Sequence, residues 1–146
     1  MYRRVLLPID GSEGTDHAVD HAVEQAIEHD ASLYVLHVVE TDVAAIEGAE
    51  DALQQLEEAG ERAVTEAVDG AAAAGVTEVE GTVTRGTPYR IILDYVDQYD
   101  IDLVVMGTHG RAGLERYLTG SVTEKVVRLA ECPVLTVPMA EGSERT

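Results

Sequence analysis

The chain has 146 residues, and its 28 acidic and 10 basic side chains give a formal net charge of −18. That charge argues against nucleic acid as a partner, because binding a phosphate backbone requires a cationic surface. No apolar run approaches the ~20 residues that a membrane span requires. A single cysteine excludes an internal disulfide, and Pro8 and Asp10 follow the N-terminal arginines too closely for a secretory signal. We therefore expect one cytoplasmic domain over residues 1–146.

The charged residues are unusual in kind as well as in number. Lys125 is the single lysine, and the chain has no Phe and no Trp. Small apolar side chains beneath a dense carboxylate surface suit a protein that must stay dissolved in concentrated salt, where screening weakens self-repulsion. We therefore predict a halophilic origin, with an ordinary acidic cytosolic protein as the alternative.

Short apolar runs, which are typical of buried strands, alternate along the chain with segments of helical periodicity. The predicted strands cover residues 5–8, 33–39, 79–84, 102–106 and 133–137. The first predicted helix carries an apolar face from Ala18 to Ile27. The second spans residues 49–74, the third begins at Pro88, and the fourth spans residues 121–130. Strict alternation of this kind predicts an α/β fold, in which a five-stranded parallel sheet carries helices on both faces.

The most informative motif lies between the fourth strand and the fourth helix. Its residues follow the pattern Gly-x2-Gly-x9-Gly-Ser, formed by Gly107, Gly110, Gly120 and Ser121. A glycine loop that leads into a helix start directs backbone N–H groups and the positive end of the helix dipole at one point, which favours phosphate. Taken singly, the glycines would only serve turns and the serine would only cap a helix. The fixed spacing at a strand–helix junction favours phosphate binding.

This spacing resembles the nucleotide loop of the universal stress protein family, in its ATP-binding branch, and the likeness extends along essentially the whole chain. The resemblance is to the family, and taken with the predicted halophilic origin it predicts that the chain is a haloarchaeal member of it. The resemblance implies a Rossmann-like sheet with strand order 3-2-1-4-5. In that order the first and fourth strands are neighbours at the point where the winding of the chain reverses.

The resemblance also implies a role for individual residues. Those at the adenine and ribose end would be Pro8, Asp10 and Val38, followed by Met106 and Gly107 near the ribose and the first phosphate. Those that cradle the outer phosphates would be Gly110, Gly120, Ser121 and Val122. The predicted binding set is completed by His109, Arg111 and Thr123. An alternative role for Asp10, compatible with the first, is to cap the first helix.

Three histidines and the cysteine could also carry chemistry. His37, within the second strand, is predicted to be a core histidine with its hydrogen bonds satisfied. His17 and His21 have the spacing of a metal pair on a helix, but no third ligand is evident. Cys132 is predicted to act as a small buried hydrophobe. We therefore predict no catalytic residue and no metal ligand within the chain.

The predicted function is an ATP-binding regulatory module of the stress response, with Mg²⁺ or Mn²⁺ bound through the phosphates and with AMP or ADP as other possible ligands. A homodimer is expected to form through the fifth strand, which would be an apolar sheet edge. The alternatives are a slow ATP hydrolase or adenylyl-transferring enzyme on the same fold, and a structural dimer that holds AMP passively.

Overall fold

A computed structural model describes residues 1–10, 14–41, 49–108 and 121–138. Its strands are β1 (Arg4–Pro8), β2 (Ser32–Glu40), β3 (Val79–Gly86), β4 (Leu103–Gly107) and β5 (Val134–Val137). Its helices are α1 (Gly14–His29), α2 (Ala49–Ala74), α3 (Pro88–Gln98) and α4 (Ser121–Leu129). The predicted bounds of the five strands, α2 and α4 differ from these by at most two residues, and the apolar face predicted from Ala18 to Ile27 lies within α1.

The five strands form one sheet in which every pairing is parallel, in the order β3-β2-β1-β4-β5. This confirms the predicted fold class and strand order. Parallel neighbours require crossover connections, and one described helix lies between each two consecutive strands.

Two apolar layers cover the sheet, because alternate side chains of each strand point to opposite faces. On one face Val5, Leu7 and Val105 pack with α1 and α2. On the other face Leu6 and Met106 pack with α3 and α4. The helices therefore lie on both faces, as predicted. None of the described helices is long and apolar enough to cross a membrane.

Helix ends follow the local sequence. Gly75 ends α2 with a φ of +118°, a left-handed conformation that glycine adopts without a steric penalty. Thr87 occupies the N-cap of α3 and Pro88 its first turn, although the Thr87 side chain makes no capping hydrogen bond.

At the amino edge of the sheet, a carboxylate fixes the start of β1 against β4. The Asp102 carboxylate accepts hydrogen bonds from the backbone N–H groups of Arg3 (2.9 Å) and Arg4 (3.0 Å). The Asp102 N–H in turn donates to the Arg4 carbonyl at 3.0 Å. These bonds set the register of β1 on β4, and with it the relative position of their opposite ends.

Candidate functional site

The carboxyl ends of β1 and β4 lie together at the point where the winding of the sheet reverses. β1 is flanked by β2 on one side and by β4 on the other. Leu6 pairs with Val104, so Pro8 and Met106 each lie two residues further toward the carboxyl edge. Open α/β sheets bind their ligands in the crevice outside this edge.

The start of α4 is bonded to the end of β4. Thr123, in the first turn of α4, is 5% exposed, and its hydroxyl donates to the Gly107 carbonyl at 2.8 Å. Thr108, the residue after Gly107, donates its N–H to the Val137 carbonyl at 2.9 Å. Since a helix start leaves backbone N–H groups without intrahelical partners, this arrangement brings such donors to the carboxyl edge.

The predicted site residues on the strands reach this edge in different ways. Pro8, Asp10 and Val38 are partly buried at the ends of β1 and β2. Met106 is buried, and its side chain packs into the layer beneath α3 and α4. Its backbone is therefore the part that a ligand could contact.

On α4, the predicted site residues differ in exposure. Ser121 is exposed, Val122 packs against the apolar layer, and Thr123 is buried. Ser121 is the first residue of α4. The remaining predicted site residues, His109, Gly110, Arg111 and Gly120, lie outside the described residues.

The residue just beyond β1 is held through both of its backbone polar groups. The Ile9 N–H donates to the Leu36 carbonyl at 2.8 Å. The Ile9 carbonyl accepts from Nδ1 of His37, also at 2.8 Å. A carbonyl can only accept, so Nδ1 carries a proton. His37 is 5% exposed, which confirms the prediction of a satisfied core histidine.

The profile of the Universal stress protein family matches residues 1–138. The chain belongs to the universal stress protein family. A universal stress protein of Methanocaldococcus jannaschii is 36% identical over 141 residues, which cover 94% of this chain and 82% of that protein.

Solved structures of family members agree with this assignment. The universal stress protein UspA from Lactobacillus plantarum superposes with a TM-score of 0.83 at 29% identity, covering 93% of this chain and 97% of that one. A universal stress protein crystallised in complex with cAMP superposes with a TM-score of 0.76 at 27% identity, covering 95% of this chain and 99% of that one. At least one related protein of known structure therefore binds an adenine nucleotide.

An ion-pair network joins α2 to β3 close to the same edge. The Arg85 guanidinium donates to Glu57 at 2.9 Å and to Glu50 at 3.0 Å. The hydrogen bond from Arg85 and its charge lower the pKa of Glu50. Glu50 and Glu57 are seven residues apart, two helical turns, and so share one face of α2. That spacing was visible in the sequence, but the partner on β3 was not.

His17 and His21, which have the spacing of a metal pair, lie close together on α1. The rings of His17 and His21 lie 5.5 Å apart in an edge-on arrangement. Over the described residues, no three His, Cys, Asp or Glu side chains come together to hold a metal ion. Cys132 is only half-buried, and burial, followed by the charge of Asp102, raises the pKa of its thiol. The thiolate is therefore disfavoured at neutral pH.

Proposed function

We propose that this universal stress protein is a cytoplasmic ATP-binding regulatory module. The observation that carries the proposal is the bond from Thr123 to Gly107, because it holds the start of α4 beside the end of β4. Gly107 is the first residue of the Gly-x2-Gly-x9-Gly-Ser motif, and Thr123 lies two residues after its last, Ser121. The complex of a relative with cAMP supports an adenine nucleotide as the ligand.

The charges of the site suggest how ATP would be oriented. The Asp10 carboxylate would repel phosphate, so Asp10 is assigned to accept hydrogen bonds from the ribose or the adenine. Ser121, exposed at the start of α4, is assigned to donate its hydroxyl to a phosphate oxygen. Gly107 has no Cβ, which lets its backbone approach the ribose and the first phosphate. This donor set fits a nucleotide phosphate. Mg²⁺ or Mn²⁺ would be held through the phosphates and would offset their charge.

As a regulatory module, the protein would respond to ATP by a shift between two populations of the loop and its neighbours. A ligand shifts such an equilibrium only by its difference in affinity for the two states. Contacts between the outer phosphates and residues 107–121 would supply that difference, and a partner protein would bind one of the two states.

An experiment on Gly120 tests the binding site. We expect Gly120→Val to weaken ATP binding by about tenfold or more, because a branched side chain would stand where the phosphates approach. Gly70→Val is the matched control, since a Cβ at Gly70 meets nothing within 4 Å. Calorimetry on both variants measures the dissociation constant. Unchanged ATP affinity in Gly120→Val would exclude the proposed loop as the phosphate site.

The alternative is an enzyme, either a slow ATP hydrolase or an adenylyl-transferring protein. Efficient phosphoryl transfer needs an oriented nucleophile and positive charge placed in advance. The loop offers His109 and Arg111 for these roles, but no carboxylate whose placement as a base can be argued. With protein in excess over ATP, we expect most ATP to remain intact over minutes. A rate of about 1 s⁻¹ that disappears in His109→Ala would favour the enzyme.

We further propose a homodimer that forms through β5. This strand is one edge of the sheet, and an unpaired apolar edge is a template for pairing with another chain. The neighbouring helix α4 adds two exposed apolar side chains, Val127 at 48% and Leu129 at 50% exposure.

A further inference from the structure

Ile9 is anchored on both sides, and this restricts the position of the next residue, Asp10. The regular pairing of β1 ends where Pro8 stands opposite Leu36. Beyond that point, the Leu36 carbonyl and the His37 ring hold Ile9 at 2.8 Å each. With its N–H and its carbonyl both fixed, the peptide that leads from Ile9 into Asp10 has little freedom to rotate.

The His37 ring can occupy this position only because α2 carries a glycine beside it. A Cβ at Gly60 would overlap Cδ2 of His37 and would lie 3.0 Å from Nε2. Glycine inside a helix is destabilising relative to alanine. At Gly60, unlike at Gly70, the absence of a Cβ leaves room for a neighbouring side chain, the imidazole of His37. We call Ile9, His37 and Gly60 the Ile9 clamp.

We propose that the Ile9 clamp positions Asp10 for the adenosine end of the nucleotide, with His37 as the positioning residue. The inference rests on the proposed function. Fixing the Ile9–Asp10 peptide before binding removes part of the ordering cost that binding would otherwise incur. The clamp also connects α2 to the site, because a shift of α2 at Gly60 would move the imidazole and with it the Ile9 carbonyl.

A matched pair of substitutions separates this role from simple packing. His37→Leu keeps the branching at Cγ but removes the donor. His37→Asn keeps an N–H donor the same number of bonds from the backbone as Nδ1. We expect His37→Leu to weaken AMP and ATP binding by a similar factor, about tenfold, and His37→Asn to restore most of the loss. Gly120→Val, in contrast, should affect ATP more than AMP.

Hydrogen exchange and a second variant, Gly60→Ala, also test the Ile9 clamp. Hydrogen exchange in nucleotide-free protein should accelerate at the amides of Ile9 and Asp10 in His37→Leu, while the Leu6 amide inside β1 keeps its protection. If His37→Leu does not fold, Gly60→Ala displaces the ring without removing the donor and should weaken AMP binding, whereas Gly70→Ala should not.

The outcomes distinguish the clamp from the proposed function. If the wild-type protein binds neither AMP nor ATP, the proposed function fails. In that case, hydrogen exchange at the Ile9 and Asp10 amides is the measurement that tests whether the clamp fixes this peptide. If the wild-type protein binds nucleotide and a folded His37→Leu variant binds it equally tightly, the positioning role is overturned. A His37→Leu variant with a lower melting temperature but unchanged dissociation constants for AMP and ATP would also overturn the positioning role.

Discussion

The hydroxyl of Thr123 and the carbonyl of Gly107 are joined by a 2.8 Å hydrogen bond that spans 16 residues of sequence. One partner is the last residue of β4, and the other lies in the first turn of α4. The Thr123 hydroxyl therefore donates its hydrogen bond inside the protein and not to a ligand. In the proposed nucleotide site, Thr123 would hold the helix start in place, and the exposed Ser121 would supply the hydroxyl that contacts phosphate.

Thr123→Val should reduce both stability and ligand affinity. Valine matches the shape of threonine but has no donor, so the Gly107 carbonyl would lose this hydrogen bond. Leaving such a group unsatisfied costs about 1–3 kcal/mol. We expect the free energy of unfolding in urea to fall by about this amount, and ATP affinity to fall with it as α4 loses its anchor.

Thr123→Ser is the control for this bond, because it keeps the hydroxyl and loses only a methyl group. It should retain ATP affinity close to that of the wild-type protein. If Thr123→Val binds ATP as well as Thr123→Ser does, the bond stabilises the fold without organising the site.

Two glycines in α2 should respond oppositely to the same substitution. Gly70→Ala should stabilise the protein by about 0.5–1 kcal/mol, since alanine is the better helix former and a Cβ there meets no neighbour within 4 Å. Gly60→Ala should destabilise it, because the new methyl group would overlap the buried His37 ring. Thermal or chemical unfolding of both variants measures the two signs.

A double-mutant cycle tests whether His37 causes the penalty at Gly60. In a His37→Ala background the ring is absent, so Gly60→Ala should become neutral or stabilising. The coupling free energy for residues in contact is about 0.5–3 kcal/mol. Additive effects would mean that something other than the imidazole limits Gly60.

The fold could be predicted because its signals are local. Apolar runs with the strand period and faces with the helix period are readable in the sequence, and their alternation restricts the connections to right-handed crossovers. The order of the strands is a property of long-range pairing. It came from the likeness of residues such as Gly107 and Ser121 to a known family rather than from the periodicity.

The site was predictable only in part. Glycine spacing marked the β4–α4 junction, whereas the bond from Thr123 to Gly107 joins two segments whose contact the sequence does not reveal. The same holds for Gly60, which looks like an unfavourable residue in a helix until His37 is found against it. Contacts between distant elements decide such roles, and a single sequence does not contain them.

Salt should stabilise this protein. With a net charge of −18, self-repulsion at low ionic strength opposes a folding free energy of only about 5–15 kcal/mol. Screening by molar KCl should therefore raise the melting temperature, even though it weakens exposed pairs such as Arg85 with Glu50. A melting temperature that is the same in dilute buffer and in molar KCl would contradict the halophilic interpretation.

Leu135→Lys should convert the proposed dimer to a monomer. Leu135 lies on β5, the edge strand that pairs with β4 alone among the described strands. A lysine there would place a charge on each side of a two-fold contact, which costs desolvation and repulsion. Light scattering at several protein concentrations measures the molar mass of the wild-type protein and the variant.

The control for this prediction is Ile27→Lys, which makes the same change in charge at an exposed apolar side chain of α1. Leu135 itself is partly buried against the core. Ile27 is 46% exposed in the last turn of α1, and its Cδ1 atom lies 3.8 Å from a Cβ placed at Gly75, just beyond α2. It is thus on the side of the molecule that carries α2, and Ile27→Lys should remain dimeric. A wild-type monomer would refute the dimer itself, whereas a dimer that survives Leu135→Lys would move the interface to a surface other than β5.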